Sequence, residues 1–596
     1  MRPLRGCYNA RKWQNRSGAK RETIDDGSNM KTVSPHLWQR FRDIAVPYWR
    51  MEEKSKAWGL LVLLVLLLLG QTGFAVLFNE QTGEFTSALA ARNADRFWHS
   101  IKLCLGLLIG AVPLYAFYYY VRDKLGNHWR RWLTGRFLDS YFRDRHFYEL
   151  NANAAIDNPD QRIAEDINTF TQRSLFFLLI LIGSILQLLA FSSVLWFISR
   201  ELVYFLVFYA IAGTLITVFV YGKPLVGLNF RQLRREADFR FGLVRVRENA
   251  ESIAFYSGEA QELQQVKRRF TAAFDNFNLL IRKQFSLNLF QYAYTMLTIV
   301  LPSAIIASRV LSGELEVGSA VRAAGAFAAV LSAISVIVDN FESLSRFAAG
   351  IDRLDSFTKV LHADPASRER AGGVIESVQG PGLALQGVTL LTPHRERILV
   401  RDLSVAIEPG QGLLIVGTSG SGKSSLLRAI AGLWYSGSGT IIRPGPEEIL
   451  FLPQQPYMLP GTLRSQLLYP HKDRQASDTE LLELLVKVNL PLLAERFGGL
   501  DIEMDWEKLL SIGEQQRLAF ARVLLSCPRF AILDEATSAL DIGNEESLYR
   551  QLLASHTTPV SVGHRSTLLK FHHQVLELGG EGQWQAHPAK GYSFSA

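Results

Sequence analysis

The chain has 596 residues, more than one hydrophobic core sustains, so at least two large units are expected. It is 48% hydrophobic, which is high for a wholly soluble protein of this size and low for one lying entirely in lipid, and this points to a mixed chain. The net charge of +8 follows from Lys and Arg gathered before and between apolar runs, a membrane-topology pattern and not a nucleic-acid surface, and Cys7, Cys104 and Cys527 lack the spacing of a disulfide framework or a zinc site.

Residues 1–36 carry Arg2, Arg5, Arg11, Lys12, Arg16, Lys20 and Arg21 without the apolar core of a signal peptide, and read as a basic cytoplasmic tail. A membrane domain is expected over 37–363. Its first span, 57–78, is uncharged and includes an almost pure Leu/Val stretch, long enough for the ~30 Å hydrocarbon layer. Further spans are expected at 101–121, 175–198, 202–222, 289–311 and 319–341. Basic residues crowd the tail and the segments 122–173 and 223–283, which places all three in the cytoplasm. Trp58, Trp98 and Tyr118, Tyr119 and Tyr120 sit at span ends, where amphipathic rings favour the interface. In the sixth span Ala320, Ala324, Ala328 and Ser332 recur at helical spacing, as a helix-packing face or a pathway lining. Arg322, Asp339 and Glu342 suit a polar cavity or interfacial snorkelling.

Both long loops look helical. Asp157-Asn158-Pro159-Asp160 combines a cap, a proline for the first turn and early acids. The second loop mixes charge with Phe239, Phe241, Ile253, Phe255 and Tyr256, which suits an apolar tip presented to another domain.

Beyond residue 363 long apolar runs end, and a linker over 364–382 leads to an α/β domain over 383–596. A strand at 412–416 precedes Gly417, Thr418, Ser419, Gly420, Ser421, Gly422, Lys423, Ser424 and Ser425, and a helix follows: the setting of a phosphate loop. The glycines let backbone N–H groups wrap phosphates, Lys423 neutralises their charge, and Ser424 offers a hydroxyl to Mg²⁺. A second strand, 530–533, ends at Asp534, suited to the Mg²⁺ shell, and Glu535, suited to orienting the attacking water.

Between these lies Leu510-Ser511-Ile512-Gly513-Glu514-Gln515, which resembles the signature of ABC ATPases, usually Leu-Ser-Gly-Gly-Gln. Gln454 resembles the Q-loop, Asp541 the D-loop aspartate and His564 the switch histidine, all in family order. The resemblance implies that two ATPase domains sandwich two ATPs, with Ser511, Gly513, Glu514 and Gln515 of one copy reaching the nucleotide on the other's phosphate loop. It further implies that His564 contacts the γ-phosphate and that Gln454 links Mg²⁺ or water to the membrane domain. Ile512 and Glu514 depart from the usual signature, and Thr392 stands where an aromatic residue commonly stacks on adenine.

The membrane domain before the ATPase resembles the exporter-type (type IV) ABC fold: six transmembrane helices plus an α/β P-loop NTPase domain. Asp157 to Ile163, Asp238-Phe239-Arg240-Phe241 and Asn249 to Tyr256 look like motifs of ABC subfamily D, nearest its cobalamin-transporter branch and bacterial relatives. The chain is thus expected to be a half-transporter working as a homodimer in a bilayer, with ATP and Mg²⁺ as cofactors and no nucleic-acid partner. Asp157, Asn158, Pro159, Glu251, Phe255 and Tyr256 are the expected coupling residues. The substrate is cobalamin-like or otherwise hydrophilic, or alternatively a fatty acid or acyl-CoA; a gating or regulatory ATPase is the reading from another class.

Overall fold

A computed structural model describes residues 37–50, 54–152, 159–362, 374–393, 396–471 and 473–594. Asp157 and Asn158, part of the expected linker, and the side chains of Asp339 and Glu342 lie outside the described residues. The chain divides into two compact units, Met1–Ala363 and Asp364–Ala596.

Among the described residues of the first unit six helices are long and apolar enough to cross a membrane: Lys54–Ala90, Ala94–Phe142, Pro159–Ile198, Arg200–Glu248, Glu259–Leu311 and Val317–Val336. Each contains one of the six expected apolar runs or nearly all of it. The second helix has 49 residues, a rise of roughly 70 Å at about 1.5 Å per residue, more than twice the hydrocarbon thickness. The basic segments are therefore largely continuations of spanning helices.

A short helix, Leu37–Arg50, closes the base of this unit. Its Tyr48 stacks on the buried Trp129 at 5.5 Å between centroids, and Arg40 pairs with Asp352 at 2.5 Å on the helix Phe341–Leu361. Helices one and six meet in a seam set by small residues. A Cβ on Gly318 would lie 1.9 Å from the Gly83 carbonyl oxygen, and one on Gly325 would lie 2.0 Å from Asn79 Oδ1. The seam is polar as well as tight: the Gly318 N–H donates to Ser87 Oγ at 3.0 Å and Asn79 Nδ2 to the Arg322 carbonyl at 3.1 Å. Such close approach is how helices gain dispersion and hydrogen bonds where lipid removes the hydrophobic drive to associate. Helices four and five are tied by a reciprocal pair: Tyr209 and Tyr294 stack at 4.2 Å, and each hydroxyl donates to the other's carbonyl.

Among its described residues the second unit has twelve strands: β1 (Glu376–Gln379), β2 (Leu383–Leu391), β3 (Ile398–Ile407), β4 (Leu413–Gly417), β5 (Gly437–Arg443), β6 (Ile449–Leu452), β7 (Gly461–Thr462), β8 (Glu503–Met504), β9 (Phe530–Asp534), β10 (Thr558–Val562), β11 (Gln574–Gly580) and β12 (Gln583–Pro588). They form a four-stranded sheet ordered β1-β5-β2-β3, a six-stranded sheet ordered β12-β11-β4-β10-β9-β6, and the pair β7-β8. In the larger sheet β11, β4, β10, β9 and β6 run parallel. Central strands covered on both faces need continuous apolar runs, as in Leu413 to Val416 and Phe530 to Leu533, all buried. The expected linker needs one correction. β1 lies inside it, paired in parallel with β5, because Ile375 is buried in the core of this unit and brings the segment onto the sheet edge.

Candidate ATP site and membrane elements

The ATPase residues gather at the carboxyl ends of neighbouring parallel strands, where an open α/β sheet leaves a crevice. β4 runs into the phosphate loop, and the helix Lys423–Ile430 follows. Gly417, Gly420 and Gly422 have φ of 141°, 80° and 102°, a left-handed region in which a side chain would be strained. Lys423 is buried, and its Nζ donates to the carbonyls of Gly417 at 2.7 Å and Thr418 at 2.9 Å, closing the loop around itself. Burial lowers the Lys423 ammonium from its ordinary range, opposed by Glu535 and Asp534. The Ser421 hydroxyl is buried without a partner among the described residues, so a phosphate oxygen entering the loop would satisfy it.

β9 brings Asp534 opposite this loop, with Ser424 Oγ 3.4 Å from Asp534 Oδ1. That separation is long for a hydrogen bond, and two hard oxygens facing each other are the donor type Mg²⁺ prefers. Burial raises the Asp534 carboxyl, while the Ser424 hydrogen bond acts against the rise. Glu535 has φ 48° and is held from two sides: Gln454 Nε2, just beyond β6, donates to Oε2 at 2.9 Å, and His564 Nε2, just beyond β10, lies 3.7 Å from Oε1. The structure thus assembles Lys423, Ser424, Asp534, Glu535, Gln454 and His564 in one place from four strand ends.

The signature forms a separate cluster. Among the described residues no hydrogen bond joins Ser511, Gly513, Glu514 or Gln515 to the phosphate loop of the same chain. Ser511 caps the helix Ile512–Ser526 in a capping box: its hydroxyl accepts from the Glu514 N–H, and Glu514 Oε2 accepts from the Ser511 N–H at 2.9 Å. Glu514 Oε1 also pairs with Arg496 at 2.7 Å, and its carboxyl is held below the usual range although partial burial opposes this.

Two of the residues expected to reach the partner's nucleotide are engaged within their own unit. Glu514 is an acceptor occupied by the cap and by Arg496, and a carboxylate repels phosphate. Gln515 is buried, with its amide donating to the carbonyls of Leu510 at 2.9 Å and Glu507 at 3.0 Å within its own unit. Ser511 and Ile512 remain exposed. Gly513 sits against the D-loop, where a Cβ would lie 3.3 Å from the Ala539 carbonyl oxygen. Asp541 caps the helix Ile542–Ala554 through the Asn544 N–H at 2.8 Å. Thr392 closes the turn between β2 and β3, its hydroxyl accepting from the Arg397 N–H at 3.2 Å.

Sequence reasoning missed two residues that join these motifs. Gln516 is fully buried; its amide donates to the Gln454 carbonyl and Ser538 Oγ, each at 3.3 Å, and accepts from the Ala539 N–H at 3.1 Å. Arg565, beside His564, donates to the carbonyls of Leu540 and Ser538 and pairs with the buried Glu545. No local spacing marks these residues, since each partner lies 20 or more positions away.

In the membrane unit, Pro159 opens the short helix Pro159–Gln161, and Arg162, in the next turn, is buried and donates to the Arg353 carbonyl and Ser356 Oγ. Glu251 lies on the short helix Ala250–Phe255 between helices four and five. Phe255 and Tyr256 at this tip are 80% and 87% exposed, an apolar pair left for another surface, whereas Phe239 packs on Phe270 inside the hairpin. Ala320, Ala324 and Ala328 line a cavity of about 870 Å³ with Phe74, Phe78, Tyr115 and Phe191, and its polar groups include Asn79, Thr82, Thr298 and Ser303. Three of the four stripe residues thus face this cavity, Ser332 lines a neighbouring one with Ala328, and the closest packing falls to Gly318 and Gly325. Arg322, with its Nη2 on Ser319 Oγ at 3.1 Å, faces the seam near Gly83.

Six spanning helices joined to a phosphate loop, paired strand-end acids and a separate signature cluster define an ATPase coupled to transmembrane transport, of the ABC type. Known families and proteins bear this out. Residues 44–311 match the family described as ABC transporter transmembrane region 2, and residues 400–538 match the ABC transporter family. An uncharacterized ABC transporter ATP-binding protein of Synechocystis sp. is 48% identical over 548 residues, covering 90% of this chain and 83% of that protein. ABC transporter D family member 2, chloroplastic, of Arabidopsis thaliana is 38% identical over 93% of this chain and 87% of its own. The lysosomal cobalamin transporter of Homo sapiens is 33% identical, with 92% and 95% covered. The solved structure of a bacterial Atm1-family ABC exporter with ATP bound shares the fold, with a TM-score of 0.70 at 19% identity over 89% of this chain and 95% of that one. The chain belongs to the ABC transporters of the D family, and is an integral membrane protein that binds ATP.

Proposed function

We propose that two copies of this chain form a homodimer that moves a solute by alternating access. ATP would lie between the Lys423 loop of one copy and Ser511 and Gly513 of the other. The observation that carries this reading is the split site: Lys423, Asp534, Glu535, Gln454 and His564 converge, while the exposed Ser511 belongs to a separate cluster. Ser424 and Asp534, with Gln454 nearby, would hold Mg²⁺, which when bound neutralises phosphate charge. Glu535, fixed between Gln454 and His564, would orient the attacking water. Gln516 and Arg565 would tie the Q-loop, the D-loop and the switch histidine so that nucleotide binding moves them together.

The basic segments support a cytoplasmic side for the tail, both long loops and the ATPase unit, which would include β1 as well as residues 383–596. The membrane would be the inner membrane of a bacterium or an organelle membrane of a eukaryote. Pro159, Glu251, Phe255 and Tyr256, together with Asp157 and Asn158, would transmit force, and Glu251→Lys should spare ATP binding while abolishing transport. Unchanged transport by a folded Glu251→Lys protein would remove Glu251 from that role.

For the solute, a cobalamin-like or other hydrophilic molecule is supported by the likeness to the human lysosomal cobalamin transporter. A second reading, a fatty acid or acyl-CoA, is favoured by the largely apolar wall of the 870 Å³ cavity. Reconstituted vesicles given labelled cobalamin or labelled acyl-CoA separate the two. ATP-dependent accumulation of either supports transport, and ATP turnover that only opens a passive leak supports a gating ATPase instead.

A further inference from the structure

Helices two and three cross at Gly126, where a Cβ would lie 3.6 Å from Leu175 Cδ1. Beside that crossing the helices leave a cleft of about 370 Å³ whose wall includes Arg122, Arg130 and Arg173, with Asn127 and Gln172 as further donors. Among the described residues its one carboxylate, Asp123, is paired with Arg122 at 2.8 Å. Arg130 makes no hydrogen bond or ion pair among the described residues, and Arg173 rests over the Phe176 ring at 5.8 Å. Three guanidinium groups against one carboxylate leave the cleft with a surplus of two positive charges and unused donors.

Its depth identifies what would neutralise it. Arg122 is the first charge after the apolar run 101–121, and Arg173 comes just before the run 175–198. The interface is marked at the same level by Arg122 over Tyr119 at 4.8 Å and Lys124 over Tyr120 at 5.6 Å. The cleft therefore sits where headgroups meet hydrocarbon, with Leu175 and Phe176 on its wall to receive the start of an acyl chain. Forked guanidinium donors match phosphate oxygens, and basic clefts between spanning helices are a recurrent solution for anionic headgroups.

We propose that this cleft binds a phosphate monoester or diester, supplied by an anionic phospholipid of the leaflet on the side of the two long loops. Binding would neutralise like charges on the two helices that flank the first loop, and so hold that pair together.

The test uses the full-length chain and reads lipid retention, which is independent of ATP turnover and of solute transport. Native mass spectrometry after exchange into phosphatidylglycerol or phosphatidylcholine should show phosphatidylglycerol retained by the wild type. The Arg130→Gln/Arg173→Gln variant should retain it roughly tenfold less or worse. Phosphatidylcholine should be washed out of both. Equal retention of phosphatidylglycerol by wild type and variant, or retention of phosphatidylcholine as strong as that of phosphatidylglycerol, overturns the site. Glycerol 3-phosphate in large excess distinguishes the sources. Failure to displace the lipid supports a headgroup site, and displacement assigns the cleft to a soluble phosphate and overturns the lipid. Should the double glutamine variant misfold, Arg130→Lys/Arg173→Lys keeps the charge without the fork and should show intermediate retention; retention equal to the wild type would overturn the forked contact.

Discussion

The ATP site and the seam between helices one and six place polar groups by opposite means. In the ATPase unit each reactive group follows a buried strand, so register in one parallel sheet sets where Lys423, Asp534 and His564 emerge. In the membrane unit no ladder links the helices, and the distance between Asn79 and Arg322 or Ser87 and Gly318 depends on a missing side chain at Gly83, Gly318 and Gly325. A sheet tolerates substitutions that keep the strand, whereas a seam of glycines tolerates almost none on its contact face.

The largest expected effect tests the sheet side. Glu535→Gln should lower ATP turnover by about three orders of magnitude, within the range for loss of a positioned base, while the protein still retains ATP. Near wild-type phosphate release would take Glu535 out of the site. On the seam side, Gly318→Val forces a Cβ onto the Gly83 carbonyl and should destabilise the membrane unit by about 3 kcal/mol, the upper end for overpacking. Its melting should fall with nucleotide binding intact, and a variant as stable as the wild type would show that the helices can slide apart without cost.

Next in size is a pH effect confined to the ATPase unit. His572 is buried; Ser561 Oγ lies 2.9 Å from its Nε2 and the Leu568 carbonyl 2.7 Å from its Nδ1, while Tyr549 donates to Ser561. Burial depresses the imidazole to about 4. The unfolded chain therefore takes up the proton first. The contribution is complete above pH ~6.5 and is lost as pH falls toward 4, amounting to roughly 2 kcal/mol by pH 5. Unfolding followed between pH 7 and 5 should show this slope in the wild type and a shallower one in His572→Gln. The smallest effect is expected at Glu514→Ala, which loses the capping box and the Arg496 pair for about 1 kcal/mol of stability. ATP turnover should stay within about threefold of wild type if the carboxylate serves the cap and the Arg496 pair alone; a far larger fall would support the expected contact of Glu514 with the partner's nucleotide.

Much of the fold was legible because its signals are local. Long, predominantly apolar runs mark all six spans, and a strand, a glycine-rich loop and a helix within about 20 residues mark the phosphate loop. Orientation was the weak point. The residues Ser511 to Gln515 read as one contact surface, yet the helix they open turns Gln515 inward and occupies Glu514 with its own cap. Arg162, in a charged loop motif, is only 4% exposed because carbonyl and hydroxyl acceptors on a helix nearly 200 residues away receive it. The alanine stripe of the sixth helix was visible, but spacing alone does not say whether a small face meets a neighbour or a cavity.

By itself the sequence determined which segments are long and apolar enough to cross the bilayer and the order of the phosphate-binding motifs, since each depends on residues close together in the chain. Tertiary structure alone decided that Gln454 and His564 clasp Glu535, that Gln516 and Arg565 link separate loops, and that glycine rather than alanine forms the seam. The physical reason is that those outcomes depend on distances and facings between elements far apart in the chain, which strand register and helix crossing set and local composition does not.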